Sequence, residues 1–109
     1  MTKNVFQIVN LDFADKILLM TEENDRGNLF AVLNNCQDNM RLGNSYQVRR
    51  ALAVRDALVR TSNLDRVEVT RAFVEATVNL ENVSRLGTLP QRQSAQNVVR
   101  DLRIILNKP

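Results

Sequence analysis

The chemistry open to this chain is set first by what it lacks. Among its 109 residues there is no histidine and one cysteine, Cys36. Without imidazole there is no Ser-His-Asp or Cys-His hydrolysis, no histidine-ligated zinc or iron, and no side chain tuned by default to move protons near neutral pH. One thiol can neither close an internal disulfide nor build a thiolate zinc site within one chain. Carboxylate pairs for acid–base work are thin. Glu22 and Glu23 are neighbours at a helix end, and Asp12 and Asp15 fall in a first turn, where the helix dipole accounts for them. No glycine-rich phosphate loop or metal-ligand spacing occurs. The sequence is therefore read as non-enzymatic, with no cofactor, no metal and no small-molecule substrate.

What remains is arginine. The formal net charge of +3 arises from 15 basic and 12 acidic residues, and apart from Lys3, Lys16 and Lys108 every cation is Arg. Its planar guanidinium pairs bidentately with carboxylate or phosphate. The charge is also blocked along the chain. Residues 41–60 carry Arg41, Arg49, Arg50, Arg55 and Arg60 against Asp56 alone, and residues 88–109 carry Arg92, Arg100, Arg103 and Lys108 against Asp101 alone. Such blocks serve either of two ends: neighbouring helices neutralising one another, or an external polyanion. The second use makes Arg41, Arg49, Arg50, Arg92, Arg100 and Arg103 the candidate phosphate contacts. Gly43 ahead of an Arg-bearing stretch has the outline of a helix-turn-helix, which would set Tyr46, Gln47, Arg49 and Arg50 against DNA. Asn39 and Asn44, however, stand where that motif wants a small apolar and an apolar residue.

Arg55 is singled out by position. At 100° per residue it falls within the stripe of Val48, Ala51, Leu52, Leu58 and Val59. An Arg there either reaches outward over its own aliphatic stem or meets an acidic partner from another element or chain. Cys36 lies within an apolar stripe too, and reads as a buried packing residue.

The elements that position these residues are helical. Breaks at residues 25–28, 42–45, 61–63 and 86–90, marked by Gly, Asn, Ser, Thr and Pro, separate five segments. The first runs from about Asp12 to Asn24. It follows a β-former-rich stretch, Val5 to Val9, that leaves residues 1–10 open as an extended or disordered arm or an earlier helical turn. The second runs from about Asn28 to Arg41 with Leu29, Val32, Leu33, Cys36 and Met40 on one side, and Gly43 suits a left-handed closing residue. The third starts at a Ser45 cap and ends near Thr61. The fourth is marked by Asp65 and Glu68 at capping-box spacing, then by Val69, Phe73, Ala76, Leu80 and Val83, whose steps of 4, 3, 4, 3 form a heptad seam. The fifth follows Thr88, with Pro90 near its first turn and Ala95, Val98, Val99, Leu102, Ile105 and Leu106 apolar. These segments predict a single all-α domain over residues 1–109, a bundle of four to five mostly antiparallel helices.

The fourth segment carries more than one stripe. Opposite its seam lie Val67, Val74 and Val78, with Arg71 and Glu81 at the margins. A surface helix of a monomer needs a single apolar face, so the second places this helix at the centre of the bundle or at a subunit contact, the alternative being small valines scattered over the surface. Ile104, among polar neighbours on the fifth segment, is a further contact candidate. The leading expectation is a scaffold or regulatory interaction module that self-associates, a dimer first or with another protein partner. Its interface would be Val67, Arg71, Val74 and Val78, with Arg55 and Ile104. The alternative is a small basic nucleic-acid-binding protein. No apolar run approaches membrane-spanning length, and the lone Cys36 with no apolar leader is read as the mark of a cytoplasmic protein.

Overall fold

The computed structural model describes residues 29–60 and 64–108. The helix expected over residues 12–24 and the open question of residues 1–10 lie outside the described residues. Within them the chain forms four α-helices and no strand: α1 (Leu29–Leu42), α2 (Ser45–Arg60), α3 (Arg66–Leu86) and α4 (Leu89–Leu106). Both α1 and α4 pack against each of the other three helices.

The helix starts are built by side chains. At α2 the cap is Asn44, one residue before the expected Ser45. Its Oδ1 accepts from the Gln47 backbone N–H at 2.9 Å while Gln47 Oε1 accepts from the Asn44 N–H at 2.9 Å, a reciprocal box that quiets two orphan donors. At α4 Thr88 and Gln91 repeat the arrangement, with Pro90 in the first turn. At α3 Asp65 is the cap, but its carboxylate accepts from Val67 N–H, and Glu68 turns instead to Arg71 at 3.2 Å. The box suggested by the Asp65/Glu68 spacing is thus half made.

Gly43 differs from expectation in its reason. Its φ lies outside the left-handed region, and what it supplies is room. A Cβ there would stand 2.6 Å from the Asn39 carbonyl oxygen and 2.7 Å from Gln47 Cβ. The first turn of α2 is folded tightly onto the last turn of α1, and glycine permits it.

The core is assembled from one stripe per helix: Leu29, Val32, Leu33 and Cys36 of α1, Ala51, Val54, Ala57 and Leu58 of α2, Val69, Ala72 and Ala76 of α3, and Val98, Val99, Leu102 and Ile105 of α4. Phe73 and Leu80 pack against this cluster as the heptad seam predicts. On α2 the stripe is rotated from its expected position. Val54 and Ala57 are buried, whereas Leu52 is exposed and Val48 and Val59 are half-buried. The small side chains of Ala51 and Ala57 let α2 approach its neighbours on that side, which moves Arg55 from the middle of the stripe to its flank.

Candidate functional site

Two features stand apart from ordinary packing: a polar cluster between α1, α2 and α4, and the outward face of α3.

The polar cluster centres on Asp101, which is completely buried. It sits on α4 three residues after Val98 and four before Ile105, inside the arc that faces the core. Arg55 reaches it from the flank of α2 and donates twice, from Nε to Oδ2 at 3.1 Å and from Nη2 to Oδ1 at 2.8 Å. Its remaining Nη1 donates to Asp56 at 2.8 Å. The guanidinium of Arg100 approaches Asp101 Oδ1 at 3.6 Å. The Asp101 hydrogen bond holds the Arg55 pKa above its usual value against the opposing effect of burial, with help from Asp56. Cys36 feels the same cluster. Burial first, and then the Asp101 charge, push its thiol up to about 11, with Arg55 pulling the other way. Such a thiol is protonated at neutral pH, which lowers its reactivity.

Above the pair opens a cleft of about 380 Å³, lined among others by Met40, Arg41, Leu52, Asn97 and Arg100. Its cations are matched locally, Arg41 by Asp38 at 2.9 Å and Arg55 and Arg100 by Asp101. Asn97 donates across to Gln37 at 3.2 Å. Asp56 on Arg55 supplies the third carboxylate for these three guanidiniums, while the buried Arg41 Nε has no hydrogen-bond partner among the described residues. Among the described residues no group of three or more acidic or cysteine side chains could hold a metal ion.

The six candidate phosphate contacts are distributed over these surroundings. Arg41 and Arg100 meet at the cleft. Arg49 and Arg50 are exposed on α2 and Arg92 is half-buried on α4. Arg103 turns toward α3, where its guanidinium lies over the Phe73 ring at 5.8 Å from the centroid. Asp56, the one acidic residue of the 41–60 block, is engaged by Arg55.

The outward face of α3 is the second feature. Val67, Val74 and Val78 are 66%, 56% and 52% exposed, while Val69, Ala72 and Ala76 on the opposite side are buried. Burial of this second face inside the bundle, one of its three expected fates, does not occur among the described residues. Because α3 lies on α4 and α1 through its inner side, its valine row points away from both. Arg71, at the margin, contacts Glu68. Ile104, 41% exposed, belongs to α4, beneath α3, and so does not extend the row. Arg55 is equally remote from it, engaged between α2 and α4.

Sequence reasoning missed two things. The partner of Arg55 is one; the signal that could have found it is the helical position of Asp101, within the α4 stripe. The other is a group of exposed apolar side chains at the turns, Leu42 and Tyr46 at the first and Leu86 and Leu89 at the second. No helix among the described residues is long and apolar enough to cross a membrane. No protein-family model, curated protein or solved structure matches this chain.

Proposed function

We propose that this chain is a non-enzymatic helical interaction module of the cytoplasm that associates with a second copy of itself through the outward face of α3. The observation that carries the reading is the pair of opposed faces on one helix: a buried seam of Val69, Ala72 and Ala76, and behind it a row of solvent-facing valines. Valine is a poor choice for an exposed helix position, because its branched Cβ loses rotamer freedom there and it brings no solubility. Three of them in one row gain from being covered.

The rest of the molecule supports a rigid carrier for that face. Arg66, in the first turn of α3, donates to the carbonyl of Leu106, the last residue of α4, at 2.8 Å and to that of Lys108 just beyond it at 3.4 Å. This favours α4 running antiparallel to α3, and the Gln37–Asn97 bond together with Met40 and Arg41 beside Pro90 and Gln93 at the cleft favours the same for α1. Lys108 donating to the Arg60 carbonyl at 3.3 Å favours α2 and α4 running parallel. The Arg55–Asp101 pair then locks α2 to α4. The nucleic-acid alternative draws less support, since three of its six candidate contacts are engaged within the chain, Arg41 with Asp38, Arg100 with Asp101 at 3.6 Å and Arg103 over Phe73.

The test is the mass of the purified chain in solution by sedimentation equilibrium. The expected mass exceeds the 12.4 kDa of one chain, and Val74→Asp returns it to the monomer. A wild-type chain that stays monomeric, or a mass unmoved by the substitution, overturns the reading.

A further inference from the structure

Resting on the self-association reading, the outward face of α3 goes further and specifies how two copies meet. Its residues Val67, Arg71, Val74, Val78, Glu81 and Arg85 are spaced 4, 3, 4, 3, 4, the a/d repeat of a two-helix seam. All but the two arginines and the glutamate are valines, and all six are exposed. We infer that α3 pairs antiparallel with α3 of a second copy, with the two-fold axis beside Ala76.

The inference comes from the order of charges along the seam. In an antiparallel pair, a and d positions meet across the interface, and a two-fold axis makes the contact reciprocal. An axis beside Ala76 sets Val74 against Val78 of the other copy, Arg71 against Glu81 and Val67 against the aliphatic stem of Arg85. Each position in the seam then meets a suitable counterpart twice. The parallel arrangement sets Arg71 on Arg71, Glu81 on Glu81 and Arg85 on Arg85, three like-charge layers. Charge complementarity therefore selects the antiparallel partner, and the partner is this chain itself. Within the chain Arg85 donates to Asn82 at 3.1 Å, and Glu81 is exposed. Arg71 retains Glu68 beside it and meets Glu81 across the axis. Glu75 is the one unfavourable neighbour, because the axis brings its two copies to the same side, so Glu75→Gln tightens the pair.

A contact of one helix on one helix is small for a stable complex, so association is measured at roughly tens to hundreds of micromolar. Two experiments separate the register from the reading it rests on. First, Val74→Cys chains are mixed with Val78→Cys chains and oxidised gently, with the wild type as control for buried Cys36. The antiparallel register gives mainly the mixed 74–78 cross-link, whereas parallel pairing gives 74–74 and 78–78. Second, Arg71→Glu and Glu81→Arg each weaken association roughly tenfold, as loss of two exposed ion pairs should, and the double variant Arg71→Glu/Glu81→Arg restores it. Ten residues of helix put these side chains about 15 Å apart in one chain, so rescue arises only across the interface. Circular dichroism confirms that each variant stays folded. A dimer whose cysteines link 74 to 74, or whose charge swap gives no rescue, overturns the register and leaves self-association standing. A chain monomeric throughout this range overturns both.

Discussion

Arg55 and Asp101, 46 residues apart, form a two-bonded ion pair in which the carboxylate is wholly buried and the guanidinium stands at the rim of a cleft. The pair joins α2 to α4, two helices that share less packing than α3 with α4. Because Asp101 has no exposure to water, its charge depends on these donors for solvation. The pair is thus less a reserve of stability than a constraint: α2 can sit against α4 in only one register if Asp101 is to be satisfied.

Removing one partner should therefore be far worse than removing both. Arg55→Met leaves a buried carboxylate with only the longer Arg100 contact at 3.6 Å, and the expected loss is about 3 kcal/mol, the low end for breaking a buried pair because Arg55 is partly exposed. Arg55→Met/Asp101→Leu should recover most of it, since two apolar side chains of similar size replace two charges. Urea unfolding of the single and double variants checks this. Equal losses in both would mean that the pair does not act as a unit.

Cys36 makes stability depend on pH at the alkaline end. The folded chain holds the thiol proton more tightly than the unfolded chain does, with the pKa raised from 9.0 to about 11. Its contribution is intact below about pH 9 and is lost as pH rises toward about 11, up to roughly 2–3 kcal/mol in all. Wild type and Cys36→Ala, unfolded in urea with reductant at pH 8 and at pH 10.5, should show a stability gap that narrows at the higher pH. A gap of constant size would contradict the burial of the thiol beside Asp101.

Gly43→Ala should destabilise through the cap of α2 rather than through backbone strain. The added Cβ collides with the fixed Asn39 carbonyl and with Gln47, and Gln47 holds the reciprocal bond to Asn44. The expected loss is about 1–3 kcal/mol. Asn44→Ala alone should cost about 1 kcal/mol. The double variant should lose less than the sum, because displacing Gln47 already breaks the cap. Additive losses in urea unfolding would show that the two act separately.

These properties differ in how far the sequence revealed them. The inner seam of α3 was legible because Val69, Phe73, Ala76, Leu80 and Val83 repeat every 3.5 residues, and periodicity is a local property. The helix starts at Asp65 and Thr88 were legible because a capping side chain bonds within its own turn. The burial of Asp101 was not, since a charged residue inside an apolar stripe becomes tolerable only through a partner supplied by tertiary structure. The rotation of α2 was hidden for a related reason. Leu52 is more apolar than Ala57, yet the close approach of α2 and its neighbours selects the smaller side chain for the inside. The outward valines were visible as a second stripe, but the sequence left open whether the bundle or another chain faces them.

Val67 and Val69 test that distinction within a single turn of helix. Val69 is fully buried and Val67 is 66% exposed, although the two share side-chain type, helix and neighbouring caps. At concentrations low enough to keep the chain monomeric, Val69→Ala should cost roughly 2 kcal/mol, from lost burial and the cavity left behind. Val67→Ala should be neutral, or favourable by up to about 0.5 kcal/mol from helix propensity. At high concentration the order reverses for association: Val67→Ala weakens the dimer, while Val69→Ala leaves the interface intact wherever the fold survives. Urea unfolding of the dilute proteins and sedimentation equilibrium of the concentrated ones give both readings. If Val67→Ala destabilised the dilute monomer as much as Val69→Ala, the second face of α3 would be covered by the chain itself, and no partner would be needed to explain it.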